Sequence, residues 1–195
     1  EISECLVGSE MCIRDSFLPV CTAAYTECTD KKKMNVFEYI EKLAEKHVDV
    51  RHVPGTEIHF LGSENEKYTS IPSELNYPAV ILDKASEFGF SGTTVSISKD
   101  KGYLLFILQH VDDTSDYKQI EQAFELTETI LAEFLQKFIA DKRNKETTFL
   151  MQFSIVDVEC EYIENIDNAL YGVLAYLNFP EIFPQKLCRE AFIND

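Results

Sequence analysis

YLLFILQHV, residues 103–111, is the most hydrophobic stretch of the chain, and its apolar side chains fall on both parities. A strand with apolar residues at alternate positions buries one face, whereas one apolar at nearly every position is covered on both. The run therefore predicts a central strand, and the neighbouring segments are placed by reference to it. On its C-terminal side, Asp112-Asp113-Thr114-Ser115 is a helix-capping cluster. It opens the longest helical pattern, from about Asp116 to Arg143. There Ile120, Phe124, Thr127, Leu131, Phe134 or Leu135, and Phe138 form one stripe, with Glu121, Glu125, Glu128 and Glu133 on the remaining surface. One apolar stripe requires one covering surface, so this helix is expected to lie on a sheet or on another helix.

N-terminal to the central run, Ala79-Val80-Ile81-Leu82 predicts a compact strand after Pro72 and Pro78. Thr93–Ser98 alternates with Val95 and Ile97 on one face, and Lys99-Asp100-Lys101-Gly102 has the composition of a turn. Further upstream, Val36, Phe37, Ile40, Leu43 and Ala44 recur at helical spacing between Asn35 and Lys46, with Glu38 and Glu41 early and Lys46 late, as the helix dipole favours. Pro54-Gly55 breaks the chain, and Glu57–Leu61 and Lys67–Ile71 predict a hairpin around a polar loop.

The last third predicts strands. Within an expected strand over Phe149–Ile163, Val156, Val158, Cys160 and Tyr162 alternate with Asp157, Glu159 and Glu161, which places Cys160 on an apolar face as a buried small hydrophobe and the acids on a solvated one. After the loop Glu164–Asn168, Ala169–Phe179 returns as a strand with a bend expected at Gly172, and Asn178-Phe179-Pro180 ends it. A helix, several strands, a long helix and a hairpin define an α+β fold: an antiparallel or mixed sheet with an N-terminal helix and one long amphipathic helix packed largely on one face.

Composition narrows the function. The 195 residues are 45% hydrophobic and 27% charged, typical of a globular chain. With 18 basic and 34 acidic residues the net charge is −16. Nucleic-acid surfaces need clustered Lys and Arg, and anionic membranes repel such a chain, so neither direct nucleic-acid binding nor membrane attachment is expected. No apolar run reaches the roughly 20 residues of a membrane span.

Four of the six cysteines, Cys5, Cys12, Cys21 and Cys28, crowd into the first 28 residues. Their separations exceed the two-to-four-residue pairing of structural zinc ligands. The opening EISECLVGSEMCIRDS, residues 1–16, resembles translated sequencing-adapter sequence of the kind found at the ends of metagenomic reading frames. Residues 1–33 are thus expected to be a non-native or disordered extension, and residues 34–195 a single α+β domain starting at Met34. Removing four basic and six acidic residues leaves 14 against 28, a charge of −14.

Catalytic signatures are weak. His47, His52 and His59 are spaced by five and seven, on a helix end, a loop and a strand, so only folding would bring them to one metal. His110 beside Asp112 and Asp113 is an acid–base pattern, which a strand end followed by a solvated loop also produces. The acidic groups lack calcium-loop spacing. No catalytic, cofactor-binding or metal-binding residue is assigned, and no cofactor is expected.

Phe153-Ser154-Ile155, Glu161-Tyr162-Ile163-Glu164-Asn165 and Asp167-Asn168-Ala169-Leu170-Tyr171-Gly172-Val173 leading to Phe179 resemble the C-terminal hairpin of small phage and prophage structural proteins from Bacteroidetes-type genomes. Tyr77-Pro78-Ala79-Val80-Ile81-Leu82, the hydrophobic strand ending in an Asp pair, and the long helix extend the likeness to the tail-terminator, or tail-completion, class over most of Met34 to Phe179. The resemblance implies a non-enzymatic subunit of a ring, usually hexameric, that joins tail to neck. Its partners would be copies of itself and other tail or neck proteins, and its location the host cytoplasm during assembly and then the virion tail. It carries over no site residue, because the class works through surfaces. The alternative that the acidity supports is a small inhibitor or immunity-type binding protein, including a DNA mimic.

Overall fold

The computed structural model describes residues 34–62, 72–93, 96–166 and 169–182. The expected extension over residues 1–33, the second arm of the hairpin expected at residues 67–71, and Cys188 lie outside them. The fold is α+β. Helix α1 (Val36–Lys46) is followed by strands β1 (Phe60–Gly62), β2 (Ala79–Thr93) and β3 (Ser96–His110), and then by helix α2 (Tyr117–Asn144). Strands β4 (Glu159–Ile166), β5 (Leu170–Asn178) and β6 (Glu181–Ile182) complete it. The sheet order is β1-β2-β3-β5-β4, with β6 added beside β3. Among the described residues only β1 on β2 is a parallel pairing; β3 runs antiparallel to β2, β5 and β6. The sheet is therefore mixed, and YLLFILQHV lies hydrogen-bonded on both sides at its centre.

Local chemistry sets the helix ends. Asn35 caps α1 by accepting the Glu38 N–H at 2.7 Å, and Asp116 caps α2 by accepting the Lys118 N–H at 3.0 Å, satisfying donors that the first turn leaves open. At the other end of α2, Lys145 takes the left-handed conformation (φ 56°), and its N–H returns to the helix carbonyls. Both helices cover the same sheet face. Val36, Phe37, Ile40 and Ala44 from α1 and Ile130, Leu131, Phe134 and Phe138 from α2 pack on Val80, Leu82, Leu105, Ile107, Val173 and Ala175. Full burial of one such side chain contributes about 1.5–3 kcal/mol. The opposite face carries a smaller cluster in which Leu75 covers Ala79, Ile81, Leu108 and Leu170.

Asp141 is buried among these apolar residues at 1% exposure. It accepts the Tyr39 hydroxyl at 2.7 Å and Lys137 Nζ at 2.6 Å, which joins the two helices. Burial, and then the Asp141 carboxylate, push the Tyr39 phenol well above its ordinary value of 10.0. Tyr39→Phe leaves a buried carboxylate short of a donor, and about 1–3 kcal/mol of stability should be lost in urea denaturation at pH 7. The pH dependence has a definite sign. Folded Tyr39 stays protonated while the unfolded phenol ionises near pH 10, so its contribution is complete below pH 10 and falls as pH rises beyond it. The wild-type urea midpoint should therefore drop more steeply between pH 9 and about 11 than that of Tyr39→Phe.

Three expectations are corrected. Lys99-Asp100-Lys101-Gly102 is not a turn, because β3 runs through it and pairs Lys99 with Phe90, Asp100 with Gly89 and Lys101 with Phe88. The reversal falls between Thr93 and Ser96. Charged residues sit comfortably there because this part of the hairpin extends beyond the helix-covered core. Second, Glu57–Leu61 contributes only the short β1, whose partner among the described residues is β2 in parallel. Third, residues 149–157 are not strand. They form two 3-10 turns, Phe149–Gln152 and Ile155–Asp157, that tuck Leu150 and Phe153 into the core.

Candidate interaction surface

The sheet gives rise to a projecting arm. Between the pairs Lys84–Tyr103 and Phe88–Lys101, three β2 residues oppose the single β3 residue Gly102, a bulge of the kind that bends a strand and increases its twist. Beyond it, six residue pairs from Phe88–Lys101 to Thr93–Ser96 form the arm, with β6 alongside at Ser98 and Lys99. Residues directly opposite one another share a face. Phe88, Phe90, Ile97, Lys99 and Lys101 therefore lie on one side, with the parity of the helix-covered Tyr103, Leu105 and Ile107. The three apolar members are 65%, 62% and 58% exposed. Phe88 and Phe90 meet edge to face at 6.0 Å, and Lys99 Nζ stands 4.6 Å above the Phe88 ring. Lys101 is neutralised by Glu181 at 2.7 Å. The arm's other side is polar: the Ser91 and Ser98 hydroxyls lie 2.9 Å apart, and Ser91 donates to Asp100. In a chain of net charge −16, this is an unusual surface, apolar with a basic margin.

A groove of about 340 Å³ lies at the far edge of the sheet, between α2 and β4. Leu131, Leu135, Cys160 and Val173 line it with apolar groups, together with Glu128 and Tyr162; Glu161, between Cys160 and Tyr162 on β4, turns its side chain to the opposite face of the sheet. The Tyr162 hydroxyl donates to Glu128 Oε1 at 2.6 Å, which pushes the phenol pKa up, and its ring packs edge to face on Phe124 at 5.0 Å. The expected buried position of Cys160 is corrected. It does face α2, paired with Ala175, but β4 is the edge strand and the helix does not reach over it, so Cys160 is exposed. Partial desolvation still pushes its thiol pKa up, which favours the less reactive protonated form. Glu159 and Glu161 are solvated, as expected.

The three spaced histidines do not converge. His52 is buried, and its Nδ1 accepts the N–H groups of His59 and Phe60, at 3.1 and 3.2 Å, which holds β1 in place. His59 Nδ1 lies 2.9 Å from the Pro78 carbonyl. His47, at the end of α1, instead turns toward α2: its Nε2 is 2.7 Å from Glu133 Oε2, off the hydrogen-bond axis, and its Nδ1 accepts the Asp49 N–H at 3.2 Å. His47, Asp49 and Glu133 bring three ligand atoms within 4.8 Å of one another. Asp49 and Glu133 are exposed, and exposed carboxylates cluster like this without an ion. The cluster serves as a clasp between α1 and α2.

His110 does meet Asp112, Nδ1 to Oδ1 at 3.3 Å, but the side chains are 45% and 94% exposed. Asp113 is occupied elsewhere, accepting the Ser115 N–H at 2.9 Å and hydroxyl at 2.6 Å, which lowers its carboxyl pKa. The histidine–aspartate pair is open to solvent, and the α2–β4 groove is lined by other residues. Among the described residues no helix is long and apolar enough to cross a membrane. No protein family, curated protein or solved structure matches the chain.

The arm was the surface least evident from sequence. Its signal was Phe88-x-Phe90 set against Lys99-x-Lys101, two alternating runs whose pairing only the register discloses.

Proposed function

We propose that the protein is a non-enzymatic phage or prophage structural subunit, a tail-terminator-like component of a homo-oligomeric ring that joins tail to neck. One observation carries the reading: the β2–β3 arm displays Phe88, Phe90 and Ile97 on one exposed face outside the core. Apolar surface of this kind on a projecting element marks a protein–protein contact. The order of elements agrees with the resemblance, from the Tyr77-Pro78 strand entry through the central strand and the long helix to the terminal β4–β5 hairpin. The acidity fits as well, since a lumen lined with carboxylates lets DNA pass without holding it. On this reading the subunit assembles in the host cytoplasm and ends in the virion tail.

Size-exclusion chromatography with light scattering on the full chain, over a hundredfold range of concentration, tests the reading. A discrete oligomer or a mass that rises with concentration is expected. A monomer throughout, combined with inhibition of a DNA-binding enzyme, would replace it with the acidic-inhibitor reading.

A further inference from the structure

We infer that the arm of one copy docks into the α2–β4 groove of the next. This contact rests on the ring reading and specifies its geometry. The two surfaces are complementary in chemistry. The arm offers Phe88, Phe90 and Ile97 with the Lys99 ammonium at their margin. The groove offers Leu131, Leu135 and Val173 with the Glu128 carboxylate beside them. Copies of so acidic a chain repel one another across most of their surface, so association is favoured where the basic margin of one meets the groove carboxylate of the other.

A copy cannot satisfy itself. The arm leaves the sheet at the Gly102–Asn178 end, whereas the groove centres on Val173, five residues or roughly 17 Å back along β5. The groove also lies across β5 from β3, at the β4 edge. Two different, distant patches on one chain make a heterologous head-to-tail contact, and such contacts generate rings when the rotation closes. The groove already contains a reporter, Cys160.

Sedimentation velocity on full-length variants tests the contact. Phe88→Ser/Phe90→Ser should weaken self-association about 30-fold or more, the loss expected for two central aromatic anchors. Lys99→Glu alone and Glu128→Lys alone should each weaken it about tenfold, and the two together should recover most of that loss. Alkylation of Cys160, read at the peptide level, should slow on association in the wild type and remain fast in the arm variants. An oligomer unchanged by all of these substitutions would overturn the arm–groove contact while leaving the ring reading in place. A wild type that never associates would overturn both. Because Phe88 and Phe90 lie outside the core, circular dichroism should show the arm variants folded, and Lys99→Glu gives an independent measure of the contact.

Discussion

Gly172→Ala is expected to destabilise the protein by more than about 4 kcal/mol, which places it among the most damaging single substitutions. A Cβ built on Gly172 would stand 2.0 Å from the Ile107 carbonyl oxygen and 3.0 Å from Leu108 Cα. Those atoms belong to the backbone of the central strand, which is bonded to β2 on one side and to β5 on the other. No rotamer change relieves the clash; one strand would have to move and lose its ladder. Since a domain is typically stable by only about 5–15 kcal/mol, much of the variant should be unfolded or insoluble at 37 °C. Gly89→Ala on the arm is the control. The nearest atom to its added Cβ is the end of the Asp100 side chain at 3.7 Å, and the change should cost about 0.5 kcal/mol or less. Urea denaturation of the two variants side by side makes the comparison.

Phe179→Ala should cost about 3–5 kcal/mol. Phe179 directly follows β5 and is 2% exposed, where four rings meet it: Tyr103 at 5.6 Å, Phe153 at 5.3 Å, Phe149 at 5.4 Å and Phe138 at 6.3 Å. It closes the core where α2, the 3-10 turns and the sheet come together. Removing it leaves a cavity that four stiff rings cannot collapse into. Phe88→Ala, at a site 65% exposed, should change stability by less than about 1 kcal/mol. The contrast separates two uses of aromatic residues in one chain: Phe179 holds the fold, while Phe88 is available to a partner. Thermal or urea unfolding of both variants, with the Phe88 variant also weighed for self-association, distinguishes them.

Much of the scaffold was legible from local pattern. The two-sided apolarity of residues 103–111 marked the central strand, and it is paired on both sides. Helix starts expected at Asn35 and about Asp116 fall there, but the capping expected of Asp112–Ser115 is done one residue later, by Asp116 itself. The 3.6-residue stripe of α2 anticipated Thr127, Leu131, Phe134 and Phe138 among its buried residues. The misreadings share a physical origin. A solvated ribbon tolerates charge on both faces, so Lys99-Asp100-Lys101 looked like a turn although it is paired strand. Alternation at Cys160 gave the correct face, but the extent of cover depends on where α2 ends laterally, and a strand's own sequence does not encode that. Asp141 was hidden for a similar reason, because its donor Tyr39 lies 102 residues away. The groove joins Glu128 and Leu131 of α2 to Cys160 of β4, residues that become neighbours only after the sheet forms.

Electron microscopy of the full-length protein tests most directly the proposal that this chain builds a ring through its arm. Negatively stained particles should average to closed rings of fixed rotational symmetry, and the Phe88→Ser/Phe90→Ser variant should yield dispersed single subunits at the same concentration. Wild-type particles of monomer size at every concentration, with no closed class, would contradict the account.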